Sequence, residues 1–218
     1  RIALAGAGYI GLAHANAAVA SGTVALCAIV DPARAGIAIA AQYGVPHYAS
    51  LGELLAHNKP DGVILATPNQ LHLSHAKECM DAGVPILLEK PITPTVKEAE
   101  ALVAYQAKTN ARILIGHHRA HSPIMAKARE VVQSGKLGQL VAVMGSALFV
   151  KPDSYFADGA WRKELGGGPI LLNMIHEIHN LRMLCGEIAS VQAIASNSVR
   201  GFAVEDTAAI SLRFASGA

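Results

Sequence analysis

Gly6, Gly8 and Gly11 follow the apolar run Ile2–Ala5 in the spacing G-x-G-x-x-G, and a helical pattern begins immediately after them. That combination suits phosphate chemistry. Gly6 permits a tight turn, Gly8 lets the backbone approach a pyrophosphate, and Gly11 lets the helix lie close on the strand. Tyr9 and Ile10, between the last two glycines, join the same contact. The phosphates then meet free N–H groups and the positive end of the helix dipole. A second apolar run, 24–30, ends in Asp31, about 20 residues past Gly11, where an acid accepts from a ribose 2′-OH. That acid favours NAD over NADP, because it repels a 2′-phosphate; Arg34, three residues on, softens the preference.

Other candidates also stand where apolar runs end. Thr67 and Asn69 fall between a strand and a helix, suited either to cofactor contact or, for Asn69, to capping that helix. Glu89-Lys90-Pro91 closes the next strand. A lysine there suits holding a substrate hydroxyl and stabilising a developing alkoxide, with Glu89 orienting or pairing with it; the alternative is a surface Glu–Lys pair at a turn. His117 and His118 end a further strand. In the helical stretch 169–184, Leu171, Met174, Ile175, Ile178, Leu181 and Cys185 fall on one side, and Asn173, His176, His179 and Asn180 fall on the other. The polar stripe is either solvated or lines a cleft, in which case His176 suits a general base. Gly166, Gly167 and Gly168 would let this helix end approach another backbone or a flat ring.

These residues need a scaffold of alternating strands and helices. Strands are expected at 2–5, 24–30, 45–48, 62–66, 84–88 and 112–116, with helices at 10–19, 33–43, 51–57, 69–82 and 95–108. This alternation predicts an α/β fold, a doubly wound parallel sheet that binds ligands at the carboxyl ends of its strands. After residue 118 the pattern changes: a helix at 123–134, a long strand at 140–150, the helix at 169–184, and strands at 191–196 and 207–214. This predicts a dinucleotide-binding domain at 1–118 and an α+β domain at 119–218 with an open, mostly antiparallel sheet. Tyr155 and Arg162, in the loop between, are candidates to contact substrate.

The 218 residues carry a net charge of +2 without a basic cluster, which argues against nucleic acid. No apolar run is long enough to span a membrane. Cys27, Cys79 and Cys185 lie far apart in apolar elements, as expected of free thiols in a reducing compartment, the cytoplasm. His176-Glu177-x-His179 lacks the i,i+4 histidine spacing of a zinc helix, so no metal is expected. Arg1 opens directly into a strand and the last strand stops close to Ala218, so the chain is expected to be part of a longer protein.

GAGYIG at 6–11, ATPNQLH at 66–72, GVPILLEKP at 83–91, GHHRAHSP at 116–123 and GGGPILLNMIHEIHNLRMLCGE at 166–187 together resemble the glucose-fructose oxidoreductase / inositol dehydrogenase (Gfo/Idh/MocA) family of NAD(P)-dependent enzymes. The resemblance implies an N-terminal Rossmann domain and a C-terminal domain whose open sheet packs substrate against nicotinamide and often mediates homo-oligomers. It assigns Lys90 and His176 to the catalytic centre. With it, His72 and Glu89 join the cofactor contacts, and His118, Arg162 and Asn173 join Lys90 and His176 at the substrate.

Two positions depart from the family pattern. Leu172 and His179 stand where many members carry aspartate, so either the proton goes to His176 or Lys90, or the chemistry differs from simple alcohol oxidation. The leading expectation is a dehydrogenase that oxidises a secondary alcohol of a sugar, cyclitol or polyol. The alternatives are an NAD-assisted lyase or glycosidase, and a dinucleotide-sensing regulator without chemistry.

Overall fold

The strands of the first half owe their position to small and branched apolar residues that alternate between two buried faces. In the computed structural model, which describes residues 1–218, Ala3, Ala5, Ala28, Val30, Val63 and Leu65 point to one face. Leu4, Ile29 and Ile64 point to the other. This period of two, apolar on both sides, is what a parallel sheet covered by helices requires.

The strands β1 (Ile2–Ala5), β2 (Leu26–Val30), β3 (His47–Tyr48), β4 (Gly62–Leu65), β5 (Ile86–Leu88) and β6 (Ile113–Ile115) form one sheet in the order β3-β2-β1-β4-β5-β6. Every pairing is parallel, with Ala5 opposite both Val30 and Leu65 and with Leu88 opposite Ile115. Helices α1 (Tyr9–Ser21) and α2 (Arg34–Tyr43) bring Ala15 and Ala40 to the Leu4 face. Helices α3 (Leu51–His57), α4 (His72–Asp81) and α5 (Val96–Thr109) bring Leu54, Cys79 and Leu102 to the Ala3 face. Ser50 caps α3, and Thr95 caps α5, its hydroxyl accepting the Glu98 N–H and donating to the Glu98 carboxylate. The strand order reverses between β1 and β4, which places a crevice at their carboxyl ends.

The chain divides into two compact units, Arg1–Gly116 and His117–Ala218. In the second, α6 (Pro123–Gln133) starts at Ser122, whose hydroxyl accepts the Met125 N–H, with Pro123 in the first turn. After it come α7 (Asp153–Ala157), α8 (Ile175–Cys185), and the antiparallel pair β7 (Ile188–Ser196) and β8 (Thr207–Phe214). The β7–β8 connection is held by Asp206, which accepts the N–H groups of Val199 and Arg200 at 3.0 and 2.9 Å.

Three expectations are corrected. The stretch 140–150 is neither strand nor helix. β7 and β8 pair only with each other, so no ladder takes up its backbone groups, and Val141, Met144, Leu148 and Val150 are all more than 80% exposed. The helix expected at 169–184 opens with a π turn, Ile170–Met174, closed by the Ile175 N–H on the Ile170 carbonyl, before α8 continues it. The helix expected from Asn69 starts as a 3-10 turn, Asn69–Leu71, with Pro68 rather than Asn69 at the capping position. No helix is long and apolar enough to cross a membrane.

Candidate functional site

The glycine turn shows which of its glycines serve the fold. Gly6 has a φ of 92°, and a side chain there would overlap the Ala66 carbonyl. A side chain on Gly11 would overlap the Gly6 carbonyl, so this glycine lets α1 lie on β1. Gly8 is different: a methyl group there would meet no protein atom within 4 Å. No packing demand explains it, whereas the close approach of a phosphate does. No side chain caps α1 at Gly8 and its first turn holds no acid, leaving its N-terminal N–H groups to an anion. Beside the turn, Tyr9 is 90% exposed and Ile10 half-buried.

Asp31, at the carboxyl end of β2, accepts the Ala7 N–H at 2.7 Å and the Ala33 N–H at 2.8 Å. Its two oxygens offer about four lone-pair sites, so capacity for ribose hydroxyls remains. Gly36 lets α2 approach closely, since a methyl group there would lie 2.7 Å from the Asp31 Cβ. The Gly8 cradle, the α1 terminus and the Asp31 carboxylate fit a dinucleotide.

At the ends of β4 and β5, Thr67 Oγ1 lies 3.3 Å from His75 Nδ1, and Asn69 is buried. His72, expected at the cofactor, has no exposed surface. Its Nδ1 lies 2.8 Å from the Pro91 carbonyl and its Nε2 3.0 Å from the Thr67 carbonyl, so it ties these two loops together. Burial lowers its pKa, outweighing the pull of those carbonyls and of Glu89. Glu89 is buried, Lys90 half-buried.

His14 was not among the expected residues. From α1, its Nε2 meets Glu89 Oε1 at 2.7 Å, while Glu89 Oε2 accepts the Lys90 N–H at 3.1 Å. Burial pushes the Glu89 carboxyl up, but the His14 bond and charge, with the Lys90 N–H and charge, hold it below the usual value. No spacing rule links the two, which lie 75 positions apart.

In the second unit, histidines gather around the start of α8. His176 is buried, with His118 at 4.7 Å between ring centroids and His117 at 6.3 Å. His179 stacks on His117 at 4.3 Å. Its pKa is lowered by burial, then by Arg182 and His121. Arg119 pairs with Glu177 beside them. The expected polar stripe is therefore packed, not solvated. His118 and His176 come together, and Asn173 stands three residues before His176 on the same helical stretch, while Arg162 packs on aromatic rings. The Arg162 guanidinium covers the Tyr155 and Trp161 rings at 4.2 and 5.2 Å and donates to the Tyr155 carbonyl. Asn173 and Leu172 line a cavity with Tyr155, Phe156, Lys151 and Glu205. Gly167 meets the backbone of Trp161 and Arg162, and Gly168 meets the Glu205 carboxylate, which accepts the Ile170 N–H at 2.8 Å. No group of three His, Cys, Asp or Glu side chains is arranged to hold a metal ion.

Two family patterns match this chain: the oxidoreductase family with NAD-binding Rossmann fold (GFO/IDH/MocA) over residues 1–117, and the GFO/IDH/MocA C-terminal domain over residues 125–218. The rhizopine catabolism protein MocA of Rhizobium meliloti is 28% identical over 92% of this chain and 64% of its own length. An inositol 2-dehydrogenase of the same species is 29% identical over 100% of this chain and 66% of its own length. Among solved structures, the WlbA dehydrogenase of Bordetella pertussis, in complex with NADH and UDP-GlcNAcA, superposes with a TM-score of 0.95 at 26% identity. That match covers 100% of this chain and 69% of WlbA. The chain thus spans about two thirds of the length of these relatives. With both halves matched in order, the chain belongs to the GFO/IDH/MocA family of oxidoreductases.

Proposed function

We propose that the protein is an NAD-dependent dehydrogenase that oxidises a secondary alcohol of a sugar, cyclitol or related polyol to a ketone. The observation that carries this reading is the Gly8 cradle beside the Asp31 carboxylate, at the carboxyl ends of β1 and β2, with Lys90 at the end of β5 in the same sheet. Gly6, Gly8, Tyr9, Ile10 and Gly11 hold the pyrophosphate, and Asp31 holds the adenine-side ribose. Thr67, Asn69 and Glu89 complete the cofactor's surroundings. Bound there, NAD supplies the hydride acceptor.

The Lys90 ammonium holds the reacting oxygen and stabilises the negative charge that grows on it. The His176 imidazole accepts the hydroxyl proton, and His118 orients the substrate beside it. Leu172 and His179, in the places of the usual aspartates, leave the proton to His176. The inositol-oxidising relative supports a cyclitol substrate. The WlbA complex supports including nucleotide-linked sugars among the candidates.

The test is a screen of cyclitols, aldoses, polyols and nucleotide sugars for NAD reduction by the full-length protein, read as NADH absorbance. A substrate that drives reduction supports the reading, provided that Lys90→Met abolishes turnover and leaves NAD affinity nearly unchanged. Product formed without net NADH indicates the lyase or glycosidase chemistry instead. NAD binding without turnover on any candidate indicates a sensing protein.

A further inference from the structure

His14 and Glu89 form a pair that packing alone does not call for. Glu89 is 4% exposed at the end of β5, where an apolar side chain would fill the same space without desolvating a charge. Gly116 makes room for it: a methyl group there would lie 2.9 Å from Glu89 Oε1 and 3.1 Å from its Cδ. Both oxygens are engaged, Oε1 by His14 Nε2 at 2.7 Å and Oε2 by the Lys90 N–H at 3.1 Å. The sheet thus buries a carboxylate bonded to the backbone N–H of the residue whose amine is assigned to the substrate oxygen, and the first helix supplies the group that keeps it there. Besides His14 and Lys90, the titratable group that senses Glu89 is His72, whose ring is held by the Thr67 and Pro91 carbonyls.

We propose that His14 is a positioning residue for Lys90: it holds the Glu89 carboxylate, which fixes the Lys90 backbone and keeps a negative charge beside its ammonium. This rests on the reading of Lys90 as the group that holds the substrate oxygen. His14 itself touches no reacting atom. Without it, burial of Glu89 is opposed only by the Lys90 N–H and charge, so the carboxylate is held less firmly in place. It then stabilises the Lys90 ammonium less, and the amine deprotonates more readily.

That consequence is readable without substrate or dinucleotide. In the full-length protein, lysines are labelled competitively with acetic anhydride at about pH 8, and each site is quantified by peptide mass spectrometry with the exposed Lys97 and Lys108 as references. His14→Leu should raise relative labelling of Lys90 by about threefold, the change that half a unit in amine pKa produces. His14→Gln retains an N–H for Glu89 and should stay near the wild type. Glu89→Gln removes the charge directly and should match His14→Leu, which keeps the test open if His14→Leu does not fold. With an active substrate, His14→Leu should lower kcat by about tenfold with little change in KM for NAD, and His14→Gln should restore most of it.

Unchanged Lys90 labelling in both His14→Leu and Glu89→Gln overturns the inference. So does a uniform rise at all lysines, which indicates only a loosened fold. If Lys90 labelling shifts as expected while the wild type turns over no candidate, the dehydrogenase reading fails and the positioning role stands.

Discussion

The Ala7 backbone N–H donates to Asp31 Oδ2 at 2.7 Å, joining the glycine turn to the end of β2. The acid expected to read the ribose therefore also shapes the turn that receives the phosphates. Asp31→Asn keeps an oxygen for Ala7 but turns an amide NH2 toward the Ala33 N–H, so it should cost about 1 kcal/mol of stability, less than loss of both acceptors. It should still weaken NAD binding by roughly 10-fold or more and narrow the preference over NADP, because a charge-assisted bond to the ribose is lost. Asp31→Ala should weaken binding similarly and also cost about 1–2 kcal/mol of stability, since two N–H groups lose their acceptor. Titration calorimetry with both dinucleotides and urea unfolding separate the two effects.

The glycines of the turn should divide in the same way. Gly8→Ala meets no protein atom, so its unfolding midpoint should stay within a few degrees of the wild type while dinucleotide affinity falls by roughly 10-fold or more. Gly11→Ala drives a methyl group into the Gly6 carbonyl and should cost at least about 2 kcal/mol by forcing α1 off β1. Equal losses of stability in both variants would remove the argument that Gly8 is kept for a ligand.

Much of the first unit was legible because its signals are local. The apolar runs that became β1, β2, β4 and β5, and the helical stretches between them, follow from residue type and spacing. His14 was invisible because its partner, Glu89, is brought to it by sheet order and not by spacing. The π turn at Ile170–Met174 was missed because a shift from i+4 to i+5 bonding leaves no mark on an apolar pattern. Of the two readings of the polar stripe, solvated or lining a cleft, the solvated one does not hold for His176, which is buried. The stretch 140–150 has strand-forming residues, yet a strand also needs a neighbour to take its hydrogen bonds, and propensity cannot supply one.

Stability should fall on mild acidification. Burial lowers the pKa of His72, of His75, and, with Arg182 and His121, of His179. Below the ordinary histidine value of about 6.5 the unfolded chain then binds more protons than the folded one, so stability is full above that value and declines as pH drops. Glu89, held below the usual carboxylate value, adds a second loss with the same sign as pH falls below about 4.3. Urea unfolding across these windows should show both declines, and His72→Asn should flatten the upper one. A stability that rises between neutral pH and the lower window would contradict the buried, neutral His72.

The thiols offer a check on the packing of α4 against β4 and β5. Cys79 has no exposed surface, and burial with the nearby Glu78 pushes its thiol up to about 12. Cys27 is only half-buried; burial raises its pKa too, but the Arg1 side chain opposes the rise. A disulfide reagent attacks the thiolate, so near pH 8 only about one Cys79 in ten thousand is reactive at any moment, and the reagent cannot reach it. Cys27 should therefore react first in the native protein, and Cys79 only as the first unit opens. Subdenaturing urea should accelerate Cys79 far more than Cys27, because its labelling requires exposing a buried helix face and Cys27 needs only local motion. Prompt labelling of Cys79 in the absence of urea would show that α4 does not seal the sheet, and the placement of Thr67, His72 and Lys90 would have to be revised with it.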